Sequence, residues 1–172
     1  MKKLIGSLIA LTIAVALYGQ SNPVDEMFDK YSEREGFTVV SISSKMLGMF
    51  TSDEKKEAGD IINRLKSVQI LSVEDSLLNR SINFYTELGK KLNFSDYEEL
   101  MVVKEGQDMT KFLIRQKGDV ISELLVVVGG PGGNSLIRIR GELNMKTISE
   151  LSKDVGIEEL KSLDEMEKKK NK

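Results

Sequence analysis

Cysteine and histidine are both absent from these 172 residues, and the two absences together remove most of the usual catalytic side chains. Without cysteine there is no thiolate nucleophile, no disulfide, no thiolate zinc site and no lipobox residue to carry a lipid. Without histidine the chain lacks the commonest general base, the commonest metal ligand and the usual physiological-pH switch. Neither a Ser-His-Asp nor a Cys-His constellation can be built. Catalysis would have to use carboxylates, lysine, tyrosine or a serine–lysine pair. The expectation is therefore a protein that is not an enzyme and that holds no cofactor or metal.

Charge of one sign is also scarce. The chain has 25 basic and 27 acidic residues, a net charge of −2. Cutting after Gly19 removes Lys2 and Lys3 and leaves 23 against 27, or −4. Neutralising phosphates is the main source of nucleic-acid affinity, so a mildly acidic chain is not expected to bind nucleic acid.

What is present begins with a long apolar run. Met1, Lys2 and Lys3 precede Leu4 to Tyr18, a stretch broken only by Gly6, Ser7 and Thr12. A basic start followed by such a run reads as a secretory signal peptide over residues 1–19. It is shorter than the roughly 20 residues that span a bilayer comfortably. The expected location is the periplasm or the exterior. If the segment stays uncut, it is the expected membrane contact.

The remainder reads as one domain over residues 22–160, with a charged tail over 161–172. Val24, Met27, Phe28 and Tyr31 recur at helical spacing behind Asn22-Pro23. Residues 37–42 form a β-rich run, and a short apolar helical turn follows at 45–50. Thr51-Ser52-Asp53-Glu54 is a capping box that opens a helix, and a short strand follows at 68–71. Residues 75–92 are expected to form one long helix lying across a sheet.

Four strands are then expected at 99–104, 109–116, 120–128 and 135–143, joined by short turns. Short turns require antiparallel pairing, so these strands form a meander. Thr147-Ile148-Ser149-Glu150 is a second capping box and opens a final helix. The predicted class is α+β: a mixed sheet containing the four-stranded meander, with helices packed mainly on one face. Ile137 and Ile139 alternate with Arg138 and Arg140, and Phe112 and Ile114 with Leu113, Arg115 and Lys117. The isoleucine face is expected to lie under the helices and the arginine face to be partly wet.

Arg115, Lys117, Arg138 and Arg140 are accordingly the candidate partner-binding residues, set to meet an envelope protein or an anionic envelope component. Gly129, Gly130, Gly132 and Gly133 read as a flexible hairpin loop between two strands. A phosphate-binding loop would end in Gly-Lys-Ser/Thr and open a helix. The acid pairs Asp25-Glu26, Asp53-Glu54 and Glu98-Glu99 match neither a glycosidase dyad nor an EF-hand spacing. Ser43-Ser44-Lys45 lacks the Ser-x-x-Lys spacing of the penicillin-recognising enzymes, and Ser149 and Lys153 come with no marked oxyanion hole.

Several blocks in order resemble a known family. They are Gly36 to Ser43, Met46 to Phe50, Tyr97 to Met101, Glu123 to Val127 and Ile139 to Leu143. The family is the domain of unknown function called "four-two-five-two", seen mainly in Bacteroidota. The resemblance covers about residues 22–160. It implies an exported protein of cell-envelope type with no assigned activity and no catalytic residues to carry over. Some members resemble lipoproteins, from which this chain departs by lacking the lipobox cysteine. Neighbouring regulators of extracytoplasmic stress response imply a sensing or envelope-maintenance role.

The leading expectation is a non-enzymatic binding or envelope-maintenance domain. The alternatives are a carboxylate-dependent enzyme acting on glycans, and a structural assembly protein whose edge strand pairs with a neighbour.

Overall fold

The computed structural model describes residues 22–49, 63–144 and Ile148. The expected export segment, the helix expected behind Thr51, most of the expected final helix and the expected charged tail lie outside these residues. The elements are α1 (Pro23–Tyr31), β1 (Phe37–Ser43), α2 (Ser44–Gly48), β2 (Leu65–Val73), α3 (Ser76–Ser81) and α4 (Phe84–Gly89). A 3₁₀ turn (Phe94–Asp96) precedes β3 (Glu98–Glu105), β4 (Asp108–Lys117), β5 (Val120–Gly129) and β6 (Ser135–Leu143).

The class is α+β, and β3 to β6 form the expected meander. The six strands run in the order β1-β2-β6-β5-β4-β3. Every pair among them is antiparallel, where a mixed sheet was expected. The reason lies in β2, which joins the outer side of β6 and carries β1 beyond it, both in alternating direction.

Two turns pin the register of the meander. Glu105 pairs with Asp108 and Lys117 with Val120, leaving two-residue loops. Gly106 and Gly118 take the first central position with φ of 60° and 61°. Neither Gln107 nor Asp119 has positive φ. This is the type II′ arrangement, whose twist matches that of the flanking strands.

Both faces of the sheet are apolar. On one, Val24, Met27, Phe28, Tyr31, Phe84 and Leu88 of α1 and α4 cover Leu71, Leu113, Leu125, Val127 and Leu136. On the other, Leu47 and Ile148 join Phe112, Ile114, Leu124, Val126, Ile137 and Ile139. The arginine face of β6, expected to be partly wet, is covered by α1 and α4, while Leu47 of α2 and Ile148 lie on the isoleucine face. The arginine face is apolar along most of its length, and the arginines occupy only one end. An apolar surface of this extent is stable only when covered.

The expected long helix is broken. Ile82 and Asn83 are extended, with φ/ψ of −125/161° and −149/104°. Asn83 then caps α4 by accepting from Thr86 N at 2.8 Å. Leu77 on α3 is 72% exposed.

Aromatic packing joins α1 to α4. Tyr31 stacks on Phe37 at 4.4 Å and lies 5.3 Å from Phe84. Tyr31 Oη and Lys30 Nζ both donate to Glu87, at 2.7 and 2.5 Å. Burying Phe84 stabilises by roughly 2–3 kcal/mol, whereas the half-exposed Lys30–Glu87 pair is worth about 1 kcal/mol at most. Packing therefore dominates this junction.

Glu87 adds a pH dependence to it. Burial pushes its carboxyl up, but the hydrogen bonds from Lys30 and Tyr31 outweigh that and hold it below the ordinary 4.5. A lowered folded value means that the contribution is full above pH 4.5 and is lost as pH falls through the folded value. Glu87→Gln is expected to cost about 1 kcal/mol at pH 7. It should also flatten the decline in stability just below pH 4.5, as read from urea midpoints across pH. An identical acid decline in the variant would refute this role.

Candidate binding site

The polar residues that were expected to line an open face gather at one end of the α1 face. Cross-strand register aligns them. One row runs Ser43, Ser67, Arg140, Glu123 and Arg115 across β1, β2, β6, β5 and β4. The next row runs Ser41, Gln69, Arg138 and Leu125.

Arg138 is only 1% exposed. Its Nε and Nη2 donate to Gln69 Oε1 at 3.1 and 2.6 Å, and Nη2 also donates to Asp25 in the first turn of α1. Phe28, one helical turn beyond Asp25, lies 5.6 Å from the guanidinium. Nη1 is buried and has no hydrogen-bond partner among the described residues. Leaving such a donor unmatched in the interior costs about 1–3 kcal/mol, so it is a feature that calls for a reason.

Glu123 is buried as well, at 5% exposed. Tyr97 Oη donates to its Oε1 at 2.6 Å, and Arg115 Nη1 lies 4.0 Å from Oε2. The Arg115 guanidinium sits 4.4 Å over the Tyr97 ring. Burial, followed by the bond to Glu123, pushes the Tyr97 hydroxyl far above its ordinary 10, so it remains a donor at physiological pH. Arg140 is exposed, and its Nε donates to Ser67 Oγ at 3.2 Å.

A bulge aims Glu123 at this site. The pairing of β5 passes from Ile121 to Glu123 against both neighbouring strands, leaving Ser122 unmatched. Ile121 can then join the core on the opposite face while Glu123 meets Tyr97. Strict alternation would have put residues 121 and 123 on the same face.

Three guanidinium groups and two carboxylates thus converge, a local excess of one positive charge. Of the four expected binding residues, Arg115 and Arg140 flank Glu123 at the rim and Arg138 forms the buried floor. The burial of Arg138 corrects the expectation of a solvated side chain; Phe28 and Asp25 of α1 cover it. Lys117 is exposed beside the β4–β5 turn and makes none of these contacts. Asp25, Gln69, Tyr97 and Glu123 were missed. For Glu123 there was a signal: a two-residue turn at Gly118-Asp119 brings it near Arg115.

The glycine loop makes hydrogen bonds to its neighbours. Gly132 N donates to Asp108 Oδ1 at 2.8 Å, and Asn134 Nδ2 donates to Gly130 O at 3.0 Å. A Cβ on Gly129 would meet Asn83 Oδ1 at 2.5 Å and Tyr85 N at 2.6 Å, and one on Gly130 would collide with Asp108. These two glycines permit close approach rather than an unusual backbone angle. The loop lies at the opposite end of the strands from the arginines.

Among the described residues there is no group of three or more carboxylates able to hold a metal ion. No helix among them is long and apolar enough to cross a membrane. A family model described as "Domain of unknown function (DUF4252)" matches residues 31–151. No curated protein and no solved structure matches the chain.

Proposed function

The chain belongs to the family described as domain of unknown function DUF4252, and from that premise we propose that it is an exported, non-enzymatic binding domain of the cell envelope. In this reading the Arg115–Arg138–Arg140 shelf takes an anionic group of an envelope partner.

The observation that carries the reading is the buried Nη1 of Arg138, which has no partner among the described residues. A guanidinium presents paired donors that match the two oxygens of a carboxylate or phosphate. Asp25 occupies Nη2 alone, and its side chain is 47% exposed. An incoming anion that displaced Asp25 would replace its charge and meet Nη1 and the N–H of Nη2 that Asp25 had held, while Gln69 keeps the other N–H of Nη2. Arg115 and Arg140 at the rim supply the long-range attraction. Glu123 keeps the excess charge small, so binding is selective rather than a general affinity for polyanions.

Export rests on Met1, Lys2 and Lys3 before the apolar run. A non-enzymatic role rests on the missing histidine and cysteine and on carboxylates already engaged by guanidinium groups. Cell fractionation tests export: the full-length chain in the cytoplasm with Met1 intact would end that part of the reading.

Binding is tested with two probes, a labelled hexaglutamate peptide and inorganic phosphate. The protein should bind at least one of them. The double variant Arg115→Glu/Arg140→Glu should weaken binding at least tenfold, and added salt should weaken it in the parent. Absence of binding to both probes, or binding unchanged in the double variant, would overturn the assignment of the shelf.

A further inference from the structure

We infer that β1 is a self-association edge, through which two copies of this chain pair antiparallel about a two-fold axis at Val40.

The sheet has two outer strands among the described residues, β1 and β3. They are built differently. β3 carries Glu98, Glu99, Lys104 and Glu105, the charges by which proteins keep an edge from pairing. β1 reads Phe-Thr-Val-Val-Ser-Ile-Ser, with no charge and no proline across seven residues. Thr38, Val39, Val40 and Ile42 are β-branched and suit a paired strand.

Self-pairing centred on Val40 opposes Phe37 to Ser43, Thr38 to Ile42 and Val39 to Ser41. No like charges meet. The same operation on β3 would set Glu98 against Glu105. Pairing β1 to β3 of another copy would leave a free edge at each end and grow into an open filament, whereas β1 against β1 closes at two copies.

Three of the six large apolar side chains exposed among the described residues lie on or just after β1. Val40 is 39% exposed, and Met46 and Met49 on and just after α2 are 47% and 69% exposed. α2 follows β1 directly and packs against β1 and β2, with Leu47 in the core of the face opposite α1. Val40 pairs with Ile70, which packs against that same core. A two-fold axis through Val40 sets the two Val40 side chains side by side and places α2 of each copy toward the Thr38 end of the other copy's β1. Because the axis is perpendicular to the sheet, the two arginine shelves open on the same side. They stand roughly 24 Å apart across five strand spacings.

The experiment measures mass by light scattering against concentration, on the protein as it accumulates in the cell. The parent should reach twice the monomer mass. Val40→Lys sets two ammonium groups face to face at the axis and should halve the mass, as should Val40→Glu. An equimolar mixture of the two variants should recover the dimer. Val102→Lys, an equally exposed position on β3, should leave the parent's mass unchanged. A parent that stays monomeric throughout overturns the inference. So does a Val40→Lys protein that remains dimeric, or a mixture of the two charge variants that fails to reassociate.

Discussion

Asn134→Ala should lower the stability of this protein by about 3–4 kcal/mol, the sum of a lost hub and the unmatched groups it leaves. Asn134 is 3% exposed and ties three segments together with one amide. Its Oδ1 accepts from Phe84 N at 2.8 Å. Its Nδ2 faces Asn79 Oδ1, Asn79 O, Ile82 O and Gly130 O at 3.0 to 3.3 Å. Its backbone carbonyl accepts from Val73 N.

Alanine keeps that last bond and removes the rest. The Phe84 N–H, a first-turn donor of α4, would then be buried without a partner. For a domain of this size the loss corresponds to a fall in melting temperature on the order of 10 °C. Asn134→Asp should do no better, because it keeps the acceptor but turns an oxygen toward three carbonyls. Thermal and urea denaturation of both variants provide the check. A loss below about 1 kcal/mol for Asn134→Ala would mean that the loop is not held by this amide.

Arg138 should separate folding from binding. Arg138→Ala removes a large buried side chain from beside Phe28 and leaves Gln69 without its donor. The expected cost is about 3 kcal/mol, as for other cavity-forming truncations. Asp25, half in solvent, rehydrates and adds little. Arg138→Met fills most of the same volume, and exchanging a buried ion for a well-packed apolar group is often close to neutral. It should remain within about 1.5 kcal/mol of the parent.

Both substitutions remove the guanidinium, so both should abolish capture of hexaglutamate and phosphate. Denaturation midpoints and probe titrations on the same two proteins give the comparison. If Arg138→Met were as unstable as Arg138→Ala, the ion itself would be holding the fold together. If Arg138→Met still bound the probes, the shelf would lose its central donor as an explanation.

Much of the architecture was legible because neighbouring residues decide it. The glycines at 106 and 118 and the alternation on either side of them specify the hairpins of the meander within a few residues. Asn22-Pro23 and the apolar spacing behind it specify α1. The break between α3 and α4 is a different matter. Residues 75–92 have helical periodicity throughout, yet Asn134, about fifty positions away, binds Ile82 O and Phe84 N on either side of the interruption. Asn83 gave a local hint as a cap, too weak to outweigh the pattern.

The site follows the same division. Alternation alone placed Arg138 and Arg140 on one face and the isoleucines on the other. It could not say which face α1 would cover, because that depends on the apolar area that all six strands assemble together. Nor could it foresee the bulge at Ser122, which exists only against both neighbours of β5 and sends Glu123 to Tyr97. Residue type, spacing and turn chemistry are local properties, and they determined the strands, their hairpins and the side chains absent from any mechanism. Burial is a property of the whole surface. Only the folded chain decided that Arg138 would lie beneath a helix with one donor unmatched among the described residues, since Asp25 reaches it across 113 residues of sequence.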